Sequence, residues 1–132
     1  MRLSILYRGA LSSCNYGCDY CPFAKRRESR EELELDRLQV ERFVRFVAGR
    51  TDDRIGVLFT PWGEALIRPW YQEALVALSC MPHVTKVSIQ TNISAPLEWT
   101  ERCDLGSLAL WTTYHPTQVT RERFLAKTGE LL

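Results

Sequence analysis

Three cysteines stand within eight residues, Cys14, Cys18 and Cys21, in Cys-x3-Cys-x2-Cys spacing. Three thiolates in one loop are able to grip three corners of an Fe4S4 cubane. Such clusters normally take four cysteine ligands, so three would leave one iron open to a substrate or cofactor, much as catalytic zinc keeps an open position. Gly17 gives the loop room to fold closely around its metal. Three thiols without a ligand role and a zinc site are the competing readings. Zinc asks for four ligands, usually in two separated pairs, with His115 or Cys103 as the fourth. Cys80 and Cys103 are isolated and read as small buried hydrophobes. An odd, clustered cysteine count argues against a disulfide framework.

The chain around this cluster is ordinary in composition. Its 132 residues suit one domain, residues 1–132, with 45% hydrophobic and 25% charged residues. Lys+Arg is 17 against Asp+Glu 16. That near balance excludes a strongly basic nucleic-acid-binding domain but leaves room for a local basic patch. No apolar run approaches a membrane span, and Met1–Arg8 has too short an apolar stretch for a secretory signal. The expected compartment is the cytoplasm, with no membrane partner.

Four strand-loop-helix units are expected to position the site. The strands are Leu3–Tyr7, Ile55–Thr60, Val84–Thr91 and Leu108–Thr113. Ser29 and Glu32 have capping-box spacing at the start of the first helix. Val40, Phe43, Val44 and Val47 form its apolar stripe, and Gly49 is its stop. The second helix starts at Pro69, with Trp70, Tyr71, Ala74, Leu75 and Leu78 on one face. In the third strand Val87 and Ile89 point one way, Ser88 and Gln90 the other. A short connection or helix runs from Pro96 to Cys103. A last helix runs from Thr120 to Leu132, with Val119, Phe124, Leu125 and Leu131 as apolar candidates. Crossovers of this length imply parallel strands in an α/β fold, either an open doubly wound sheet or an arc of a β/α barrel.

The cysteine motif, its place after a first strand, and Tyr20 before the last cysteine resemble the radical S-adenosylmethionine superfamily. The resemblance implies that Cys14, Cys18 and Cys21 hold a [4Fe-4S] cluster whose open iron chelates S-adenosylmethionine. The implied reaction is reductive cleavage to methionine and a 5′-deoxyadenosyl radical, which takes a hydrogen from a substrate. An electron donor such as a flavodoxin or ferredoxin is the implied partner. Tyr20 is placed beside the adenine by the resemblance; as a residue alone it reads equally as a partly buried loop aromatic.

Other strand ends extend the resemblance. Trp62-Gly63-Glu64-Ala65 after the second strand is similar to the family's Gly-Gly-Glu-Pro segment, whose carbonyls and carboxylate receive the cofactor's ammonium. Trp62 departs from the first glycine and Ala65 from the proline. On their own, Gly63 and Glu64 read as a turn with a solvated carboxylate. Asn92, in Gln90-Thr91-Asn92, lies near the cofactor by resemblance, and is equally a turn or cap residue. Thr112 and Thr113, after the fourth strand, are implied partners of the ribose or carboxylate. His115 stands at the mouth, either meeting substrate or solvated. The basic stretch Lys25-Arg26-Arg27, with Arg30, is either a solvated loop or a contact for an anionic substrate or reductase.

Every one of these positions lies just past the C-terminal end of an expected parallel strand, where α/β active sites sit. The polar pair Ser88 and Gln90 also suits a wide, partly open lumen, which favours a barrel arc of about four β/α units. The family core has six, so the chain is expected to be the N-terminal portion of such a domain, either incomplete or completed by self-association. The alternatives are a non-catalytic iron–sulfur electron-transfer module and a zinc-binding interaction module. Nothing in the sequence selects the substrate.

Overall fold

The computed structural model describes residues 1–11, 14 and 27–131. Cys18, Cys21, Tyr20, Lys25 and Arg26 therefore lie outside the described residues. Among the described residues there are four strands, β1 (Arg2–Tyr7), β2 (Arg54–Phe59), β3 (Val84–Thr91) and β4 (Leu108–Thr112), and three α-helices, α1 (Arg30–Ala48) after β1, α2 (Pro69–Ser79) after β2 and α3 (Arg121–Gly129) after β4. The strands form one sheet in the order β1-β2-β3-β4, and all three pairings are parallel. Spatial order thus follows chain order, without the reversal that marks the switch point of a doubly wound sheet.

Local signals set the helix ends. Ser29 Oγ accepts from the Glu32 N–H at 3.1 Å while Glu32 reaches back to the Ser29 N–H, completing the capping box. Gly49 ends α1, and Pro69 opens α2, where a missing N–H costs nothing.

One face of the sheet is the core. Ile55, Val57, Phe59, Val87 and Ile89 are buried there with Val40 and Val47 of α1 and Tyr71, Ala74, Leu75 and Leu78 of α2. A register shift between Ile55 and Gly56 pairs them with Val84 and Lys86, so two exposed residues, Thr85 and Lys86, separate buried Val84 from Val87. Beyond it the expected alternation holds: Ser88 is half-buried and Gln90 exposed, opposite the core. On that second face Leu6, Leu58, Ser88 and Ala109 form one register row. Leu6 and Trp111 are 61% and 60% exposed on it.

The short connection or helix expected from Pro96 to Cys103 is a 3-10 helix over Glu98–Arg102, with Trp99 buried. Two sequence expectations need correction. Cys80 is exposed, not buried, because it caps the C-terminus of α2 rather than sitting inside it; Cys103 is half-buried against the core. The last helix ends at Gly129 and buries none of its residues; Leu125 is 53% exposed. It flanks the edge strand β4, so its apolar side has little to close against: a groove of about 570 Å³ lined by Leu105, Leu108, Leu110, Thr128 and Leu131 lies there. Among the described residues, no helix is long and apolar enough to cross a membrane.

Candidate functional site

The C-terminal ends of the strands converge on a cavity of about 180 Å³ lined by Cys14, Pro61, Trp62, Gly63, Glu64, Gln90, Thr91, Asn92, Thr113 and His115. The segments after β2, β3 and β4 thus meet the one described cysteine of the cluster. Asn92 Nδ2 lies 3.8 Å from Cys14 Sγ, a long contact from a donor to a thiol or thiolate.

Glu64 is the structural centre of this cavity. It is 2% exposed. Oε1 accepts from the Leu66 N–H at 3.1 Å and from Thr91 Oγ1 at 2.7 Å; Oε2 accepts from the Asn92 N–H at 2.6 Å. The carboxylate therefore caps the short 3-10 turn Ala65–Ile67 and ties it to the end of β3. All three donors are neutral, and among the described residues no cation pairs with it. Burial pushes its carboxyl above the usual range, partly offset by the donors from Asn92, Thr91 and Leu66. The expectation of a solvated carboxylate is thereby excluded.

The turn after β3 carries the strained residue of the fold. Ile93 has φ 50° and is 1% exposed, a left-handed conformation that β-branched residues avoid. Its N–H is held by Thr91 Oγ1 at 3.0 Å. Asn92 Oδ1 accepts from the Ser94 N–H at 2.9 Å and from Ser94 Oγ. Asn92 is therefore both the turn residue and a cavity residue: its oxygen builds the turn and its amide nitrogen faces the cysteine. Trp62 and Gly63 have no positive φ, so the tryptophan in place of a glycine costs no backbone strain.

Thr113 reaches the cavity and Thr112 does not. Thr112 pairs with Thr91 in register and lines the groove beside α3, with Leu108 and Leu110. Strand alternation sends neighbouring threonines to opposite faces. His115 lines the cavity, and burial lowers its pKa, which favours the neutral imidazole. Arg27 and Arg30, the described part of the basic stretch, are exposed.

Two features escaped the sequence. Arg8, just past β1, stacks its guanidinium on the Trp62 ring at 4.6 Å. Asp36, on α1, is 1% exposed and accepts from Trp70 Nε1 at 2.7 Å, from the Tyr71 hydroxyl at 3.1 Å and from the Leu11 backbone. Burial raises its carboxyl, and Tyr7 is pushed up to about 12 by burial and by Asp36. This network anchors the chain past β1 at Leu11. Gly9 is required beside it, since a Cβ there would lie 3.1 Å from Asp36 Oδ1 and 3.2 Å from the Tyr71 hydroxyl.

Among the described residues, no three His, Cys, Asp or Glu side chains are grouped to hold a metal; Cys14 is the one member of the motif that is described. No protein-family model, curated protein or solved structure matches the chain.

Proposed function

We propose that the chain is the N-terminal part of a radical S-adenosylmethionine enzyme, its sheet an arc of a β/α barrel, with Cys14, Cys18 and Cys21 as ligands of a [4Fe-4S] cluster. One observation carries this reading: Cys14 and the buried Glu64, held among the described residues by neutral donors alone, line the same cavity at the C-terminal ends of parallel strands. A metal site alone gives no reason to bury a carboxylate next to it. A cofactor that bears both a metal-chelating group and an ammonium does.

The donor set fits that cofactor. An ammonium brings three N–H donors and no acceptor. Three of the roughly four lone-pair positions of Glu64 are occupied by the chain's own donors. Remaining acceptor capacity lies on Oε2, which takes one donor from the chain. A cation bound there offsets the charge whose burial now raises the Glu64 pKa. Asn92 orients Cys14 through its amide, and the Ile93 turn holds Asn92 in place. Thr113 offers a hydroxyl and His115 a neutral imidazole at the mouth. When bound, the cluster supplies one electron that breaks a sulfonium C–S bond, giving methionine and a 5′-deoxyadenosyl radical. The protein's part is to align that bond and exclude water. A flavodoxin or ferredoxin is the proposed donor of the electron.

Anaerobic reconstitution with iron and sulfide, followed by dithionite and S-adenosylmethionine, tests the reading. The expected product is 5′-deoxyadenosine, absent from the Cys18→Ala form. Iron that does not bind, an EPR signal indifferent to S-adenosylmethionine, or equal product from both proteins overturns it.

A further inference from the structure

Arg8 is held in place yet leaves most of its donors unspent. Its Nε donates to the Thr60 carbonyl at 3.0 Å, with Thr60 Oγ1 at 3.4 Å, and its Cζ lies 4.6 Å from the centroid of the Trp62 ring. A guanidinium has five N–H donors in a rigid fork, so the two terminal nitrogens carry four that these contacts leave free. Three other arginines spend their forks on carboxylates: Arg37 on Glu34 and Glu41, Arg50 on Asp53, Arg102 on Glu73. Among the described residues no carboxylate pairs with Arg8.

Location gives the free fork meaning. Arg8 follows the C-terminal end of β1, in phase with Ser4 and Leu6, and is exposed. Trp62, on which it stacks, lines the cavity that holds Glu64 and Cys14. The site thus has a buried acidic end and an exposed basic rim joined by one indole. An arginine fixed by stacking loses less freedom when it takes up a planar, two-oxygen anion, and stacking leaves its hydrogen-bonding edge free.

We propose that Arg8, on its Trp62 platform, binds an anionic group of the molecule acted on at this site, a carboxylate or a phosphate, in a bidentate pair. The inference rests on the reading of the cavity given above for what is done to that molecule, and adds its charge class. Arg8 is a binding residue here, distinct from the groups that would hold the cofactor.

The test is a titration of the 132-residue chain with inorganic phosphate, and separately with acetate, followed by the Trp62 indole N–H cross-peak in 1H–15N spectra, assigned with Trp62→Phe. The wild type is expected to give a saturating shift with at least one of the two anions, and the preferred anion names the group. Arg8→Gln is expected to weaken the response by about tenfold or more, since a charge-assisted pair is lost. Arg8→Lys keeps charge without the fork and is expected between the two. Arg54→Gln, a control for surface charge at the opposite end of the sheet, leaves the curve in place. A linear response, or equal curves for wild type and Arg8→Gln, overturns the proposal. The titration needs neither iron nor S-adenosylmethionine. A failed cleavage assay beside an intact anion response therefore removes only the earlier reading, and the reverse result removes only this one.

Discussion

The backbone N–H of Asn92 donates to Glu64 Oε2 over 2.6 Å, joining the turn after β2 to the turn after β3. With Thr91 Oγ1 on the other oxygen, a single carboxylate sets the relative position of two cavity walls. In Glu64→Gln one oxygen becomes a donor. It then faces either the Asn92 N–H or the Leu66 N–H, neither of which accepts. A buried donor left unsatisfied costs about 1–3 kcal/mol, and urea denaturation is expected to read a loss of that size. Thr91→Val removes one of the three donors and is expected to cost less.

The same carboxyl gives a pH signature. Burial raises the Glu64 pKa above its usual 4.5. The folded chain thus holds the proton more tightly than the unfolded chain. Its stabilising share is full below the unfolded value and is lost as the pH climbs through the raised folded value. Asp36 acts in the same direction, and His115, with a lowered pKa, in the opposite one. Both are common to wild type and Glu64→Gln and cancel in the difference. The stability gap between the two proteins is therefore expected to widen as the pH falls from 7 to 5, in urea melts at matched ionic strength. A gap that stays constant would show that the Glu64 proton affinity does not change on folding.

What the sequence made legible was local. Ser29 with Glu32, Gly49 and Pro69 act within one helical turn, and each did what its type dictates. The parallel α/β order was legible because crossover length follows from spacing. The strand-end positions of Trp62, Gly63, Glu64, Asn92, Thr113 and His115 then followed from topology. Parity was not legible: Thr112 and Thr113 differ by one residue, yet Thr113 lines the cavity and Thr112 the groove beside α3. Glu64 read as a surface carboxylate because its burial comes from Thr91 and Asn92, more than twenty-five residues on. Asp36 likewise looked like one more charge on a charged helix.

Asp36 joins α1, α2 and the chain leading to Cys14 through Trp70, Tyr71 and Leu11. Asp36→Asn leaves one oxygen to serve donors that now meet two, and places an NH2 where an N–H or O–H already points. A stability loss of about 1–3 kcal/mol is expected in urea melts. If iron binds as proposed, the reconstituted variant is also expected to lose iron to a chelator faster than wild type, because the segment carrying Cys14 is no longer anchored. Equal chelation rates would confine Asp36 to a role in folding. Gly9→Ala tests the same junction from the other side, since its methyl would press on Asp36 Oδ1 and the Tyr71 hydroxyl.

The open face of the sheet leads to a prediction about association. Parallel sheets are normally covered on both faces. Here Leu6 and Trp111 are more than half exposed on the face opposite the helices, with Leu58 and Ala109 between them in the sheet. Among the described residues β4 pairs with β3 alone, and an open strand edge presents unpaired backbone groups. Apolar surface beside an open edge drives association. Sedimentation velocity over a concentration series is expected to show species larger than the monomer. Placing a charge on the face, in Leu6→Lys with Trp111→Lys, is expected to shift the distribution to monomer with little change in the urea midpoint, because neither side chain is part of the helix-covered core. A wild type that stays monomeric at every concentration would show that this face needs no partner.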